Sequence, residues 1–283
     1  ERLSGMLSAK EGQVILDGTK RLETGSSNAE LLVGYNVTVY AKYEDGKNNP
    51  TILSIEKDKD TSSVTLTKED VLPKSTDRKI VYQDENGKEK TITLSDAVKI
   101  MYNGSPVSEF TVPDEGYVKL ILDDIDKAEV IIIEEYENYI VKSKNAVEQI
   151  VYFKDVLPEQ SSDIVIDPTD KSASIEFIND DGSAANISDC NEWDILSFLH
   201  SSDHKTLKII RSSKSVEGVI TEMGDKTAVI GDVEYKISQS LLNNSKLDHP
   251  SLGLSGKFYL DYNGRIAALD SSGKAYMYGW LVG

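Results

Sequence analysis

Residues 116–141 read GYVKLILDDIDKAEVIIIEEYENYIV. Tyr117, Lys119 and Ile121 alternate with Val118, Leu120 and Leu122, so one face of an extended chain is apolar and the other mixed. Asp123-Asp124-Ile125-Asp126 interrupts the alternation as an acidic turn. Residues 130–133 are then apolar without a break, the pattern of a strand covered on both faces. The chain continues through Tyr139 and Ile140 into a third strand. Ribbons folded back at a polar corner predict a β protein, and the rest of the sequence repeats the phrase.

Working outward, the chain divides into units over 1–60, 61–139, 140–215 and 216–283. In the first, strands over 3–7, 13–16, 35–43 and 51–55 with turns at Asp17-Gly18 and Asp45-Gly46 predict a small antiparallel barrel or meander. In the second, Val64-Thr65-Leu66 is a strand. Ile80-Val81-Tyr82 and Thr91-Ile92-Thr93 flank Asn86-Gly87, a hairpin signature because both turn positions favour positive φ. Ser95 either caps a short helix through Lys99, or the residues after it approach the sheet as a strand. Tyr102-Asn103-Gly104 is another turn.

The third unit echoes the second. Asp155-Val156-Leu157-Pro158 repeats Asp70-Val71-Leu72-Pro73, and Ile175-Glu176-Phe177 with Asp181-Gly182 repeats the hairpin around Asn86-Gly87. Residues 193–198 and 207–210 repeat the opening hairpin. The fourth unit echoes the first: 216–220 matches 3–7, 227–230 with Gly231-Asp232 matches 13–16 with Asp17-Gly18, and 256–260 matches 34–38. Thus 140–215 reads as a copy of 61–139, and 216–283 as a copy of 1–60. The spacing exceeds the usual solenoid period and predicts small tandem domains. Helix is expected only near 238–243 and 27–32.

Composition agrees. Of 283 residues, 39% are hydrophobic and 28% charged, enough for a large core or several small ones. Tyr supplies 14 aromatic residues against 5 Phe and 2 Trp, a strand-favouring balance. With 7 Pro and no Pro-rich linker, the units are expected to abut. Lys+Arg total 31 against 48 Asp+Glu, a net charge of −17 that repels phosphate backbones and anionic lipid, so neither nucleic acid nor membrane insertion is expected. The single cysteine, Cys190, forbids an intrachain disulfide. That fits a cytosolic protein or an extracellular protein of an organism that does not rely on disulfides. No apolar run approaches the ~20 residues that cross a bilayer, and no signal peptide is read. The chain opens at Glu1-Arg2-Leu3, almost directly in a strand, and ends at Leu281-Val282-Gly283, which reads as part of something longer.

The order VEGVITEMGDKTAVIGDVEYKIS (216–238), GLSGKFYLDYNGRIAAL (253–269) and YMYGWLVG (276–283), together with VYQDENGKEKTITLSDAVKIMYNG (81–104) and the opening stretch, resembles cell-surface proteins of clostridia that carry S-layer homology domains. The resemblance covers nearly the whole chain and is one of style and order, not of a catalytic signature. In that group such regions lie beside the S-layer homology repeats that hold the protein on secondary cell-wall polymer. The repeats themselves are absent from this sequence, so wall anchoring would belong to parts not present in it. The resemblance implies an exposed, structural or spacer-like region of a Gram-positive surface protein.

The resemblance implies an Asp/Asn-rich, calcium-loop-like turn at Asp123, Asp124 and Asp126, and calcium asks for 6–8 oxygens and a glycine at the bend. Here Lys127-Ala128 stands where the glycine part would be, so the turn reads as a solvated hairpin tip that blunts an edge. Asp180-Asp181 and Asp167 with Asp170 read the same way, and Asp58-Lys59-Asp60 reads as a charged connector, a solvated face rather than a ligand set. His200 and His204, with Asp203, have the spacing of zinc ligands on a helix, but fall between strands; with His249 they are the only histidines. Cys190 sits among Asp189 and Glu192, which oppose a thiolate. No nucleophile elbow, phosphate loop or dinucleotide fingerprint occurs. Carboxylate pairs for glycoside hydrolysis would need a deep cleft. Trp193, and Tyr276, Tyr278 and Trp280 on one face of a strand, suit either a core or junction, or a sugar platform; core or junction is preferred.

The sequence therefore predicts an all-β chain of tandem small antiparallel barrels or meanders with little helix. It is expected to be non-catalytic and to carry no metal or cofactor, serving as a structural or spacer region at the cell surface. Its partners would be neighbouring modules or copies of itself. The alternatives are a carbohydrate-binding or adhesive module and a phage virion or tail protein.

Overall fold

The computed structural model describes residues 9, 12–17, 19–154, 164–165, 174–200 and 206–271. Among these the chain is all-β with a single short α-helix, arranged as a repeat-like succession of four sheets, each drawn from one stretch of sequence. The first sheet has β1 (Gln13–Leu16), β2 (Lys20–Glu23), β3 (Val37–Lys42) and β4 (Thr51–Lys57), ordered β1-β2-β4-β3. The second has β5 (Ser62–Leu66), β6 (Lys79–Gln83), β7 (Glu89–Tyr102), β8 (Ser105–Val107), β9 (Gly116–Leu122) and β10 (Lys127–Glu135), ordered β5-β9-β10-β7-β6 with β8 also on β7. The third has β11 (Glu137–Asn145), β12 (Ile150–Phe153), β13 (Ile164–Val165), β14 (Ser174–Asn179), β15 (Ile195–His200) and β16 (Thr206–Ser212), ordered β13-β12-β11-β15-β16-β14. The fourth has β17 (Ser215–Met223), β18 (Thr227–Ile230), β19 (Val233–Lys236), α1 (Gln239–Asn243), β20 (Ser255–Leu260) and β21 (Ile266–Asp270), ordered β19-β18-β17-β20-β21. Residues up to 135 form one compact unit and, apart from 200–206, those from 136 onward form another.

The decisive stretch folds as its pattern requires. β9 and β10 pair antiparallel from Leu122↔Ala128 to Gly116↔Glu135, with a bulge at Glu129. Val118, Leu120, Ile131 and Ile133 are fully buried at the centre of this sheet's core, with Ile80, Ile92 and Leu94 around them. The unbroken apolar run of β10 has a second cause: its other edge pairs with β7, in parallel, through Ile100, Met101 and Tyr102. A parallel neighbour needs a long crossover, here the passage through β8 and β9. Gly116, at φ +138, has no room for a side chain, because a Cβ there would lie 1.9 Å from the Glu134 carbonyl oxygen.

β7 also settles the alternative at Ser95: residues 89–102 are one strand, whose first half pairs with β6 and whose end turns at Asn103-Gly104 into β8. Asn103 and Gly104 both have positive φ, as a two-residue turn between Tyr102 and Ser105 demands. Asn86-Gly87 differs from expectation. Only Gly87 has positive φ, and a longer corner spans Asp84 to Lys88.

That corner recurs. In Asp84–Lys88, Asp123–Lys127 and Asp261–Arg265, the first residue's N–H donates to the carbonyl four residues on, and the fourth residue's N–H donates back to the first carbonyl. The fourth position is Gly87, Asp126 or Gly264, each at positive φ. In all three one oxygen of the leading aspartate accepts two further backbone N–H groups: from Asn86 and Lys88, from Ile125 and Lys127, and from Asn263 and Arg265. An aspartate that satisfies its own turn is the local device of this fold.

The first and fourth sheets share their wiring. In the fourth, β17 pairs with β20 through residues 215–219 and with β18 through 220–223, and a parallel bridge joins Ile237 to Ile266. In the first, β1 and β2 form the matching hairpin, Glu23 pairs parallel with Thr51, and β3 and β4 form the second hairpin. A 3₁₀ turn at Ala29–Leu32 stands where α1 stands in the fourth. The segment matched to β17, residues 3–7, lies outside the described residues, as do the second DVLP sequence at 155–158 and the terminal aromatic strip at 276–280. In the second and third sheets three strands run in the same order, β5-β9-β10 in one and β11-β15-β16 in the other; β14, whose sequence echoes that of β6, adjoins β16 directly, whereas β6 is separated from β10 by β7.

Candidate functional site: the joint between the third and fourth sheets

The acidic corners are occupied by the backbone. Asp123 Oδ1 accepts from Ile125 N (3.0 Å) and Lys127 N (2.8 Å), and so is used to close the hairpin. Asp181 accepts from both the N and Oγ of Ser183, and the hydroxyl bond in particular holds its carboxyl below the usual range. Asp180 lies 2.9 Å from the Lys214 ammonium. Asp58 accepts from Asp60 N. Asp167 and Asp170 lie outside the described residues. Among the described residues no group of three or more His, Cys, Asp or Glu is placed to hold a metal.

His200 closes β15, while Asp203 and His204 lie outside the described residues; His249 is exposed and meets the Asn244 carbonyl at 2.9 Å. Cys190 is fully buried, and that burial first of all pushes its thiol up to about 11, the opposite of an activated nucleophile. A shallow hollow of about 290 Å³ is lined by Tyr102, Val107, Ser108, Glu109 and Thr111. Its one hydroxyl on a ring, that of Tyr102, donates to the Glu135 carboxylate.

The polar groups that do converge lie between the third and fourth sheets, inside one compact unit. Asn138 on β11 is 8% exposed, Ser197 on β15 and Ser238 before α1 are fully buried, and Asp261 at the corner after β20 is 2% exposed. Ser197 Oγ donates to Asn138 Oδ1 at 2.5 Å, and Asn138 Nδ2 donates to Asp261 Oδ2 at 3.1 Å and to Ser238 Oγ at 3.3 Å. Ser238 N donates to the Ile266 carbonyl, fixing its loop on β21. Buried groups of this kind are costly unless paired, and here the pairing crosses from sheet to sheet.

Apolar and aromatic contacts frame the polar centre. Ile140 and Ile195 of the third sheet pack with Ala267 and Ala268 of the fourth. Tyr136 meets Tyr262 with ring centres 4.8 Å apart. Trp193 lies flat on Tyr259, 5.0 Å apart at an interplanar angle of 5°, and the Lys154 ammonium sits 3.9 Å from the Trp193 ring. Trp193 has φ +72, a region that a bulky side chain enters only when its surroundings hold it there. Burial in this stack raises the Tyr259 hydroxyl above its ordinary pKa, with Asp270 and Glu192 adding to it. The indole proposed from the sequence as core, junction or sugar platform thus has its ring engaged by Tyr259 and Lys154; Trp280 lies outside the described residues.

A related clasp occurs in the other compact unit. Tyr35, just before β3, donates its hydroxyl to Ser63 Oγ at 2.8 Å, and the Lys57 and Lys119 ammoniums lie 5.0 and 4.8 Å from its ring. Burial works to raise this phenol, but the Ser63 bond and the two lysines outweigh it and the pKa falls.

The sequence reading missed Asn138, Ser197 and Asp261. A signal existed for one of them: Ser197 interrupts Ile195–Leu199, a single polar residue inside an apolar run, whereas Asn138 follows Glu137 in an alternating stretch and does not stand out. The chain matches neither a known family model nor a curated protein.

Proposed function

We propose that this chain is a non-catalytic structural or spacer region of a bacterial cell-surface protein. On this reading it is extracellular and associated with a surface layer, and its partners are neighbouring modules or further copies of itself. Anchoring on wall polymer would belong to other parts of the protein. The finer architecture belongs to the same proposal. Strands ordered β19-β18-β17-β20-β21, with a parallel bridge between the end of the third strand and the fifth, have the connectivity of a five-stranded Greek-key barrel with a helix before its fourth strand. The first sheet follows the same path over its described strands. The chain then consists of two barrel-type modules flanking two hairpin-sheet modules, arisen by duplication.

The observation that carries the reading is where the sequence spends its buried polar groups. Asn138, Ser197, Ser238 and Asp261 bond to one another across two sheets, and the acidic corners bond to themselves. Such groups hold neighbouring modules in fixed register, which a spacer needs. The test is to incubate the purified chain with cell-wall fragments and a glycan array and to assay turnover and binding. The proposal expects neither. Turnover of a wall glycan abolished by one point substitution would overturn it, as would saturable glycan binding lost in Trp193→Ala while the fold is retained.

A further inference from the structure

Asp261 departs from the corner it otherwise shares. At Asp84 the second carboxylate oxygen turns to the exposed Lys90 ammonium, 3.2 Å away. At Asp261 the second oxygen is buried and accepts from Asn138 of the neighbouring sheet. The same side chain therefore builds its own hairpin through Oδ1 and reaches the third sheet through Oδ2. We propose that the Asn138–Asp261 bond fixes the register of the two sheets, and that the described strands of the third and fourth sheets consequently open and close as one cooperative body, with Asn138 as the positioning residue.

Two physical arguments support this. Opening the fourth sheet alone would bare Ile140 and Ile195, which are at most 2% exposed, and would remove Tyr259 from the strained Trp193. The apolar patch couples the sheets but is non-directional. A buried hydrogen bond to a carboxylate is directional and loses most when misplaced, so it selects one register. The inference deepens the spacer reading and rests on it for its purpose. Its test does not, because a chain found to act on a glycan would still open in one step or in two.

The test is hydrogen exchange, peptide by peptide, on the full chain at sub-denaturing denaturant concentrations. In the unaltered protein, peptides of β15–β16 and of β20–β21 should share one opening equilibrium with one denaturant dependence. Asn138→Asp sets a carboxylate against Asp261, and should speed exchange in β20–β21 by about ten- to a hundredfold relative to β15–β16. Adding Asp261→Asn should restore coincidence. The amide introduced at 261 keeps its oxygen on the Asn263 and Arg265 N–H groups and donates to the carboxylate introduced at 138. Should Asn138→Asp fail to fold, Asn138→Ser, too short to reach Asp261, should show the same divergence at smaller size. Separate opening in the unaltered chain would overturn the inference. So would coincident exchange in the Asn138 variants, or a double variant as divergent as Asn138→Asp.

Discussion

A carboxylate that accepts two backbone N–H groups resists protonation, because the proton must displace a bond. At Asp84 the Lys88 N–H is the largest such influence, with the Lys90 ammonium and the Asn86 N–H beside it, and the carboxyl lies below its ordinary value. Its stabilising effect is present above the unfolded value, about 3.9, and is lost as pH falls through the lower folded one. Asp84→Asn should therefore melt lower than the parent at neutral pH and converge with it in acid, a difference readable from melting temperatures taken at descending pH. Gly116 makes the opposite kind of demand, for absence of a side chain. Gly116→Ala sets a methyl on the Glu134 carbonyl at a φ that alanine avoids, and should cost about 3 kcal/mol or more in a denaturant titration.

At the scale of elements, the strands were largely written in the sequence and their neighbours were not. Alternation and apolar runs gave β9, β10 and β11, since a period of two follows from the pleat alone. That β10 would take β7 as a parallel neighbour was not legible, because a buried strand looks the same whichever partner covers its edge. The corners were half legible: Asp and Gly announce a turn, but the residue types alone do not say whether the carboxylate faces water, a cation or its own backbone, as it does at Asp123. The joint stayed hidden because Asn138 and Asp261 are far apart in the chain and neither is unusual alone. One further joint within an element set shows how such pairs act. Arg211 on β16 donates from Nε to the buried Asp194 at 2.6 Å and from Nη1 to Asn179 at 2.9 Å, tying the end of β14 and the approach to β15 onto one strand. Arg211→Met leaves the buried Asp194 carboxylate with the Asn191 N–H but no counter-ion, and should destabilise by about 3–5 kcal/mol. The double variant Arg211→Met/Asp194→Leu should recover a good part of that in the same denaturant titration, since the loss comes mainly from the orphaned charge.

For the whole molecule the governing quantity is charge. A net −17 spread over corners and strand edges repels itself, a cost that falls as salt shortens the Debye length from about 10 Å at 0.1 M. Any cation helps in this way, and a divalent one helps more than sodium, without a binding site being involved. A true calcium site is different: it discriminates by size and ligand number, and calcium stabilises through it where magnesium does not. Here Asp123 and Asp261 spend an oxygen each on their own turns, and Asp181 an oxygen on Ser183. Melting the chain in chelator, then in equal millimolar calcium or magnesium at matched ionic strength, should therefore raise the unfolding temperature by the same small amount with either ion. The Asp123→Asn variant should respond as the parent does. A rise with calcium alone, removed by Asp123→Asn, would mean that the corner opens to take the ion and that its carboxylate serves the ion before the hairpin.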